Sequence, residues 1–220
     1  VSISGVLSRY VGDSPKIVSA VFKLAKRRAP SVIFFDEIDA LALRRDIVVD
    51  QVPGLLQTLL TELDGFRSKK MDKPVIVIAA TNKPWMLDEA ILSRFDRRIY
   101  VPLPDRGARI EMFRLHLEKK GFRIEGITYE ELADLTEGYS GRDIRAVCTK
   151  AIMMMLRRAN PEIEGVMKRV RDLRELESLR YRILPIMREE LLKAIQEVKP
   201  AVSKEEIKKY EEWAREHGTK

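Results

Sequence analysis

The chain has 220 residues, of which 45% are hydrophobic and 34% charged, and this apolar share excludes wholesale disorder. No run approaches the roughly 20 apolar residues that a membrane helix needs, so we expect a cytoplasmic protein without membrane insertion. A single cysteine, Cys148, excludes an intramolecular disulfide and a cysteine-built zinc site. The net charge is +7, but both signs interleave, so a solvated mixed surface is favoured over a nucleic-acid interface. Abundant Lys, Arg and Glu beside scarce Gln predict a thermophilic source.

The first part of the sequence alternates strand and helix patterns. Residues 1–3 are a short β-branched start, and Ser14 caps a helix with one apolar face that ends at Ala29-Pro30. Leucines at helical spacing predict another helix over Gly54–Leu63, ended by Gly65. Apolar runs predict strands at 32–35, 75–80 and 98–101. Because helices separate the strands, a parallel sheet is expected, with the 32–35 strand buried on both faces.

Beyond Pro104 the pattern is helical alone. The first predicted helices span Arg109–Glu118, a segment that begins at a capping box of Thr128 and Glu131, and the stretch from Ser140 to Asn160. The later ones span the charged stretch 162–182, Glu189–Val198, and a segment from a capping box of Ser203 and Glu206 to about His217. The fold class is therefore α/β, with a partial parallel-sheet subdomain at 1–104 followed by a helical subdomain at 105–220.

The strongest chemical pattern stands where two predicted strands end. Asp36 and Glu37 follow the 32–35 strand, and Thr81 and Asn82 follow the 75–80 strand. Ligands of open α/β sheets bind beyond the carboxyl ends of the strands. There an aspartate can orient Mg²⁺ through its water shell, a glutamate can polarise an attacking water, and an asparagine can hold a water beside a phosphate. Solvated acids and an ordinary turn are the alternative interpretation of the same residues.

The motifs taken in order resemble the AAA family of ATPases over nearly the whole chain. They are DEID (36–39), IAATN (78–82), LDEAIL (87–92), RFDRR (94–98), IYVPLPD (99–105) and GYSGRDI (138–144). In detail the sequence is most similar to the meiotic clade, which comprises katanin, spastin and the vacuolar-sorting ATPase that disassembles ESCRT-III, with archaeal relatives. The ending KPAVSKEEIKKYEEW resembles the last helix of that clade, and Cdc48-like members share much of it.

The resemblance implies ATP and Mg²⁺ as cofactors and a role for each matching residue. Asp36 would be the magnesium-side Walker B acid, Glu37 the base acting on water, and Asn82 the first sensor with Thr81 beside it. Arg94 would be an arginine finger that contacts the ATP bound to a neighbouring copy of the chain. Ser93 stands where the family commonly has a second arginine, which leaves a paired finger open.

The same resemblance implies residues that contact the nucleotide base and the substrate. Gly141 would lie against adenine, where a residue without Cβ permits close approach. His116 would lie near the nucleotide, although a half-buried helix histidine explains it equally well. Arg9, Tyr10 and Val11 match the first pore loop, in which an aromatic grips polypeptide. The partners implied are identical subunits in a ring, commonly a hexamer, and a protein substrate.

A phosphate-binding loop of the form G-x-x-x-x-G-K-[ST] is absent from the sequence, because none of its eleven glycines is followed by lysine. We therefore expect the chain to be the C-terminal portion of a longer ATPase and to bind ATP weakly by itself. Three alternatives remain beside the ESCRT-III-type disassembly machine: a Cdc48-like or proteasome-associated unfoldase, a non-catalytic assembly fragment, and, least favoured, a nucleic-acid-binding module.

Overall fold

A computed structural model describes residues 14–43, 52–67, 73–161 and 182–219. The chain divides into two compact units, one within Val1–Ile99 and Glu212–Lys220 and the other within Tyr100–Glu211. The division after residue 104 that the sequence suggests stays a prediction. The strand expected at 1–3 lies outside the described residues, as does nearly all of the charged stretch that begins at 162. None of the helices in the described ranges combines the length and apolarity that crossing a bilayer requires.

The first unit contains a two-stranded parallel sheet and the helices that pack on it. Its elements in chain order are α1 (Ser14–Arg27), β1 (Ser31–Phe35), α2 (Ala40–Leu43), α3 (Val52–Arg67), β2 (Val75–Ala79), a 3-10 turn (Pro84–Met86) and α4 (Glu89–Leu92). Ser31 lies opposite Val75 and Phe35 opposite Ala79, which confirms the parallel pairing.

One face of this sheet packs against a hydrophobic core. Ile33 and Phe35 of β1 point into a core that α1 and α3 complete, and the rings of Phe22 and Phe35 lie 5.7 Å apart. The leucine face of α3 also explains why this helix continues through Gly65, where the sequence predicted its end: Leu55, Leu59 and Leu63 are buried along its length, and tertiary packing outweighs the cost of one glycine.

The opposite face of the sheet is exposed, so burial of β1 on both faces was a wrong prediction for the described residues. Val32, Phe34, Ile76 and Ile78 keep 60%, 46%, 54% and 46% of their surface in solvent. They are two directly opposed pairs of the parallel ladder, Val32 with Ile76 and Phe34 with Ile78. Side chains two residues apart point to the same face of a strand, so these four form one apolar patch, called here the open sheet face.

The strand predicted at 98–101 is also absent from the described structure. Ile99 and Val101 are 77% and 82% exposed. A strand needs a neighbouring ladder for its N–H and C=O groups, and Arg98 finds other partners at the end of the chain. Its amide donates to the Thr219 hydroxyl at 2.7 Å, and its carbonyl accepts from the Thr219 amide at 3.0 Å.

The second unit is built mainly from helices. Its elements are α5 (Arg106–His116), a 3-10 turn (Glu118–Lys120), β3 (Ile124–Glu125), α6 (Tyr129–Leu135), α7 (Gly141–Ala159), β4 (Ile186–Met187) and α8 (Arg188–Glu197); α9 (Lys204–His217) contributes residues to both units. The pair β3 and β4 is parallel and corrects the prediction of helices alone beyond Pro104. Two residues per strand are too few for an alternating pattern to be recognised.

Helix α7 lies in the core of the second unit. Ile144, Val147 and Cys148 are buried on it, and burial raises the pKa of the Cys148 thiol to about 12, so this cysteine is an unreactive core residue. Asn160 ends the helix as predicted.

Helix starts follow the capping residues in the sequence. Ser203 and Glu206 form both halves of the predicted capping box, at 3.0 and 3.1 Å. Thr128 accepts from the Glu131 amide at 3.2 Å, while the Glu131 carboxylate binds Arg188, which lowers the pKa of Glu131. Helix α5 begins three residues earlier than predicted because the carboxylate of Asp105 caps it.

Candidate functional site

The carboxyl ends of β1 and β2 are joined by backbone hydrogen bonds. The Ala80 amide donates to the Phe35 carbonyl at 2.8 Å, and the Ile38 amide donates to the Ala80 carbonyl at 3.1 Å. The ladder thus extends past both strands and brings the turn that holds Asp36 and Glu37 beside the turn that holds Thr81 and Asn82. The structure brings these four predicted residues to one edge of the sheet.

The acidic turn presents its carboxylates to solvent from a firmly held backbone. Glu37 has φ 55°, in the left-handed region that side chains other than glycine rarely adopt. Its amide donates to the Asp36 carboxylate at 3.0 Å, and its carbonyl accepts from the Ala40 amide at 3.0 Å. Asp36 and Glu37 are both exposed, while the next side chain, Ile38, is 1% exposed and anchors the turn in the core.

A third acid at this edge was missed in the sequence. Asp39 is 8% exposed, and its carboxylate accepts from the Thr81 hydroxyl at 2.6 Å. The same hydroxyl accepts from the Lys83 amide at 3.0 Å. Asp39 stands three residues after Asp36, so the signal was present in the motif, but its partner is 42 residues away and only the fold reveals it.

Arg94 lies in the first unit, and its guanidinium is hydrogen-bonded to other residues of the same chain. Nε and Nη2 reach the two carboxylate oxygens of Asp64 at 3.1 Å each, and Nη1 reaches the Ala90 carbonyl and the Ser93 hydroxyl. Such a two-point contact between Arg and a carboxylate has the geometry that also suits a phosphate. Asp64 was not predicted, because nothing local in the sequence relates it to a residue 30 positions away.

Gly141 and His116 lie in the second unit. Gly141 is the first residue of α7, positioned by a reciprocal capping box in which Ser140 accepts from the Asp143 amide and Asp143 accepts from the Ser140 amide. A Cβ added at Gly141 would meet Met112 of α5 at 3.5 Å. Met112 and His116 are four residues apart and therefore share a face of α5, which brings the helix face of His116 toward the start of α7.

His116 is only partly exposed, and its Nδ1 is buried without a hydrogen-bond partner among the described residues. Burial lowers the pKa of His116, and the cations Lys120 and Arg145 lower it further. The neutral imidazole is therefore the favoured form near pH 7.

Arg9, Tyr10 and Val11, the predicted pore-loop residues, lie outside the described residues.

Comparison with known proteins identifies the architecture. The family model for the "ATPase family associated with various cellular activities (AAA)" matches residues 1–103, the AAA+ lid domain matches residues 126–168, and the Vps4 C terminal oligomerisation domain matches residues 168–218. The crystal structure of the FIGL-1 AAA domain superposes with a TM-score of 0.81 at 32% identity, covering 100% of this chain and 68% of that one. The chain belongs to the AAA family of ATPases.

Two curated relatives are similar to nearly the whole of this chain. The cell division cycle protein 48 homolog of Archaeoglobus fulgidus is 42% identical over 96% of this chain, and the spastin of Drosophila willistoni is 33% identical over 99% of it. The chain spans 28% and 27% of the lengths of these two relatives.

In the first unit, the exposed carboxylate of Asp36 is an oxygen donor of the kind that Mg²⁺ prefers. In the second unit, Gly141 at the start of α7 has no Cβ of its own, and the Met112 side chain lies beside it. The sequence supplies no glycine–lysine loop to bind the phosphates.

Proposed function

We propose that this chain is the acid, sensor and lid portion of an ATP hydrolase that, in its complete form, assembles as a ring of identical subunits and remodels protein complexes by threading polypeptide. The observation that carries the proposal is the convergence of Asp36 and Glu37 with Thr81 and Asn82 at the ends of two paired parallel strands. Membership of the AAA family and the match to an oligomerisation domain support the hydrolase and the ring. A cytoplasmic location and a hexamer belong to the same proposal.

Each residue at the strand ends then has a chemical task. Asp36 would hold Mg²⁺ through its water ligands, and the bound ion would neutralise phosphate charge. Glu37 polarises the attacking water and takes up its proton at the carboxylate. Asn82 orients that water by hydrogen bonding without adding charge near the acids. The backbone hydrogen bonds between the two turns keep these groups in register.

Arg94 acts on a neighbouring copy of the chain in this proposal. Within one chain its guanidinium contacts Asp64 through two hydrogen bonds. A phosphate of the nucleotide bound to the neighbouring copy offers the same two-oxygen geometry with more negative charge, so it can replace Asp64 as the partner. Ring assembly would thereby complete a site that one copy lacks.

The second unit has its own candidate nucleotide contacts. Gly141 would lie against adenine, and His116 would contribute a neutral imidazole near the nucleotide. Without a phosphate-binding loop these 220 residues bind ATP weakly and hydrolyse it negligibly. Robust turnover by the isolated chain would contradict this part of the proposal.

The proposed substrate is a polypeptide or an assembled protein filament of the ESCRT-III type, gripped by the loop that contains Arg9, Tyr10 and Val11. The resemblance of the sequence to the clade that contains the ESCRT-III-disassembling ATPase supports this substrate class, whereas the Vps4 C terminal oligomerisation domain matched at residues 168–218 supports self-association. A Cdc48-like unfoldase, acting alone or with a proteasome, is the second candidate, and the 42% identity to an archaeal Cdc48 homolog favours it. A non-catalytic assembly fragment is the third, supported by the missing phosphate loop.

The decisive experiment is Glu37→Gln in the longer protein that carries a phosphate-binding loop. The variant should bind ATP as tightly as the parent and lose turnover by about 100-fold or more, because the amide cannot accept the proton of the attacking water. Glu130→Gln is the matched control, since Glu130 is an exposed glutamate of the second unit and its loss should leave turnover unchanged. Unimpaired hydrolysis by the Glu37 variant would refute the assigned role.

The third candidate is tested by mixing the 220-residue chain with the complete ring and measuring ATP hydrolysis by the ring. An assembly fragment that binds the ring without hydrolysing ATP should change the turnover of the ring, whereas an unrelated chain should leave it unchanged.

A further inference from the structure

We propose that Asp39 is a positioning residue that acts through the Thr81 hydroxyl to hold the sensor Asn82 in register with Glu37. The inference rests on the proposed function, because it assigns Asp39 to the same hydrolytic site. Asp39 itself need not touch nucleotide or water: the residue is 8% exposed, and its carboxylate accepts a hydrogen bond from Thr81.

The directions of the two hydrogen bonds at the Thr81 hydroxyl make its orientation depend on Asp39. A hydroxyl has one donor and two acceptor lone pairs. The Thr81 hydroxyl donates a hydrogen bond to the Asp39 carboxylate at 2.6 Å. This orients the hydroxyl oxygen so that it can accept from the Lys83 amide at 3.0 Å. That second bond closes a turn around Asn82, the residue between them. The conformation of the Asn82 backbone thus depends on an acceptor contributed by the other strand end.

The contact with Asp39 also determines the position of Glu37. The Ile38 amide, between Glu37 and Asp39, donates to the Ala80 carbonyl at 3.1 Å. The acidic turn is therefore bonded to the segment that follows β2 by one backbone hydrogen bond and, through Asp39 and Thr81, by one side-chain hydrogen bond. Glu37 is in a left-handed conformation at φ 55°, which costs energy and persists only when neighbouring contacts impose it. These two contacts, which both follow Glu37 in the chain, contribute to that constraint together with the backbone hydrogen bonds of Glu37 itself.

The alternative is a carboxylate that only stabilises the fold. Buried polar groups are normally hydrogen-bonded, and one satisfied pair is no proof of a functional role. The two interpretations differ in what the catalytic rate should do, because a purely structural pair affects unfolding whereas a positioning pair also affects kcat.

The test uses four variants of the longer, ring-forming protein. Thr81→Val keeps the shape and removes the hydroxyl, and Asp39→Ala removes the acceptor. Thr81→Ser and Asp39→Asn keep a hydroxyl and an acceptor oxygen and are the conservative pair. Thr136→Val is the matched control: this buried threonine donates to the Leu132 carbonyl at 2.7 Å in the second unit, so its loss should lower the melting temperature without changing kcat.

We expect Thr81→Val and Asp39→Ala each to lower kcat by about 10- to 100-fold with KM nearly unchanged, since small misplacements of catalytic groups cost this much. The double variant should be no worse than either single one, because Asp39 acts through Thr81. Thr81→Ser and Asp39→Asn should restore most of the rate. A Thr81→Val enzyme with unchanged kcat, a double variant with multiplied losses, or a Thr81→Ser enzyme as slow as Thr81→Val would each overturn the proposal.

Hydrogen exchange of single amides separates this inference from the proposed function. Asp39→Ala should raise the exchange rate of the Lys83 amide by about 10-fold, because its acceptor is no longer held in place. If the parent protein fails to hydrolyse ATP, the proposed function falls, and the exchange result alone then decides whether Asp39 organises the turn around Asn82. Unchanged protection of Lys83 in Asp39→Ala would overturn the positioning role.

Discussion

Replacement of Gly141 by alanine should change stability and nucleotide binding in opposite directions. The glycine is the first residue of α7, and its φ lies outside the left-handed range, so alanine can adopt its backbone conformation. The new methyl group would lie 3.5 and 3.6 Å from the Cε and Sδ atoms of Met112, which is ordinary van der Waals contact. The fold therefore accommodates the substitution.

The size of both effects follows from this geometry. Glycine to alanine at a compatible site stabilises by about 0.4 to 1 kcal/mol, because the unfolded chain loses conformational freedom. For a chain of this size the melting temperature should rise by about 1 to 4 °C. If Gly141 lies against adenine, the same methyl group holds the base away from the backbone, and a tenfold loss of affinity corresponds to about 1.4 kcal/mol.

The assay pairs thermal unfolding of the 220-residue chain with ATP titration of the longer protein that carries a phosphate-binding loop. Gly107→Ala is the matched control, since Gly107 lies in the first turn of α5 and its Cβ would meet the Asp105 carboxylate at 3.5 Å, an ordinary van der Waals contact. Both variants should be as stable as the parent or more so, and Gly141→Ala alone should bind ATP at least about tenfold more weakly. Unchanged affinity in Gly141→Ala would refute the placement of adenine at the start of α7.

Three further predictions concern acid stability, self-association and substrate grip. Because folding lowers the pKa of His116, the unfolded chain binds the proton more readily, so the free energy of unfolding should fall as the pH drops below about 6.5. His116→Gln should reduce this fall, measured by chemical denaturation at about pH 7.5 and 5.5. An equal fall in both proteins would contradict the prediction. The double variant Ile76→Thr, Ile78→Thr should reduce the concentration-dependent association of the 220-residue chain, measured by light scattering. These two residues supply half of the open sheet face, and threonine keeps the β-branched shape. Unchanged association would exclude that face as its cause. Tyr10→Ala should spare ATP hydrolysis by the complete ring more than its remodelling of protein substrate, and equal losses in the two assays would argue against a pore-loop role.

Local patterns predicted the elements whose partners are close in sequence or repeat along one face. The Ser203 and Glu206 capping box forms as expected because both partners lie within one helical turn. The strands at 31–35 and 75–79 and their parallel pairing followed from two apolar runs separated by a helix. The motif order also indicated the family, which the comparisons confirm.

Tertiary contacts overruled local patterns at three places. The apolar stretch at 98–101 has strand-forming residues, yet no neighbouring ladder is described for it and Arg98 pairs with Thr219 instead. Helix α3 passes through Gly65 because its buried leucine face outweighs the local cost of glycine. The short parallel pair β3 and β4 joins Ile124 to Ile186, and periodicity cannot detect a pairing between residues so far apart in the chain.

The sequence by itself determined the chemical groups of the candidate site: two acids after one strand, a threonine and an asparagine after the next, and the arginine at position 94. These depend on residue type and on order along the chain. Only the tertiary structure decided how the groups are held, with Thr81 bonded to Asp39 and Arg94 bonded to Asp64. The reason is physical: a hydrogen bond depends on the separation and direction of two groups in space, and the fold alone brings together side chains that are 42 and 30 residues apart.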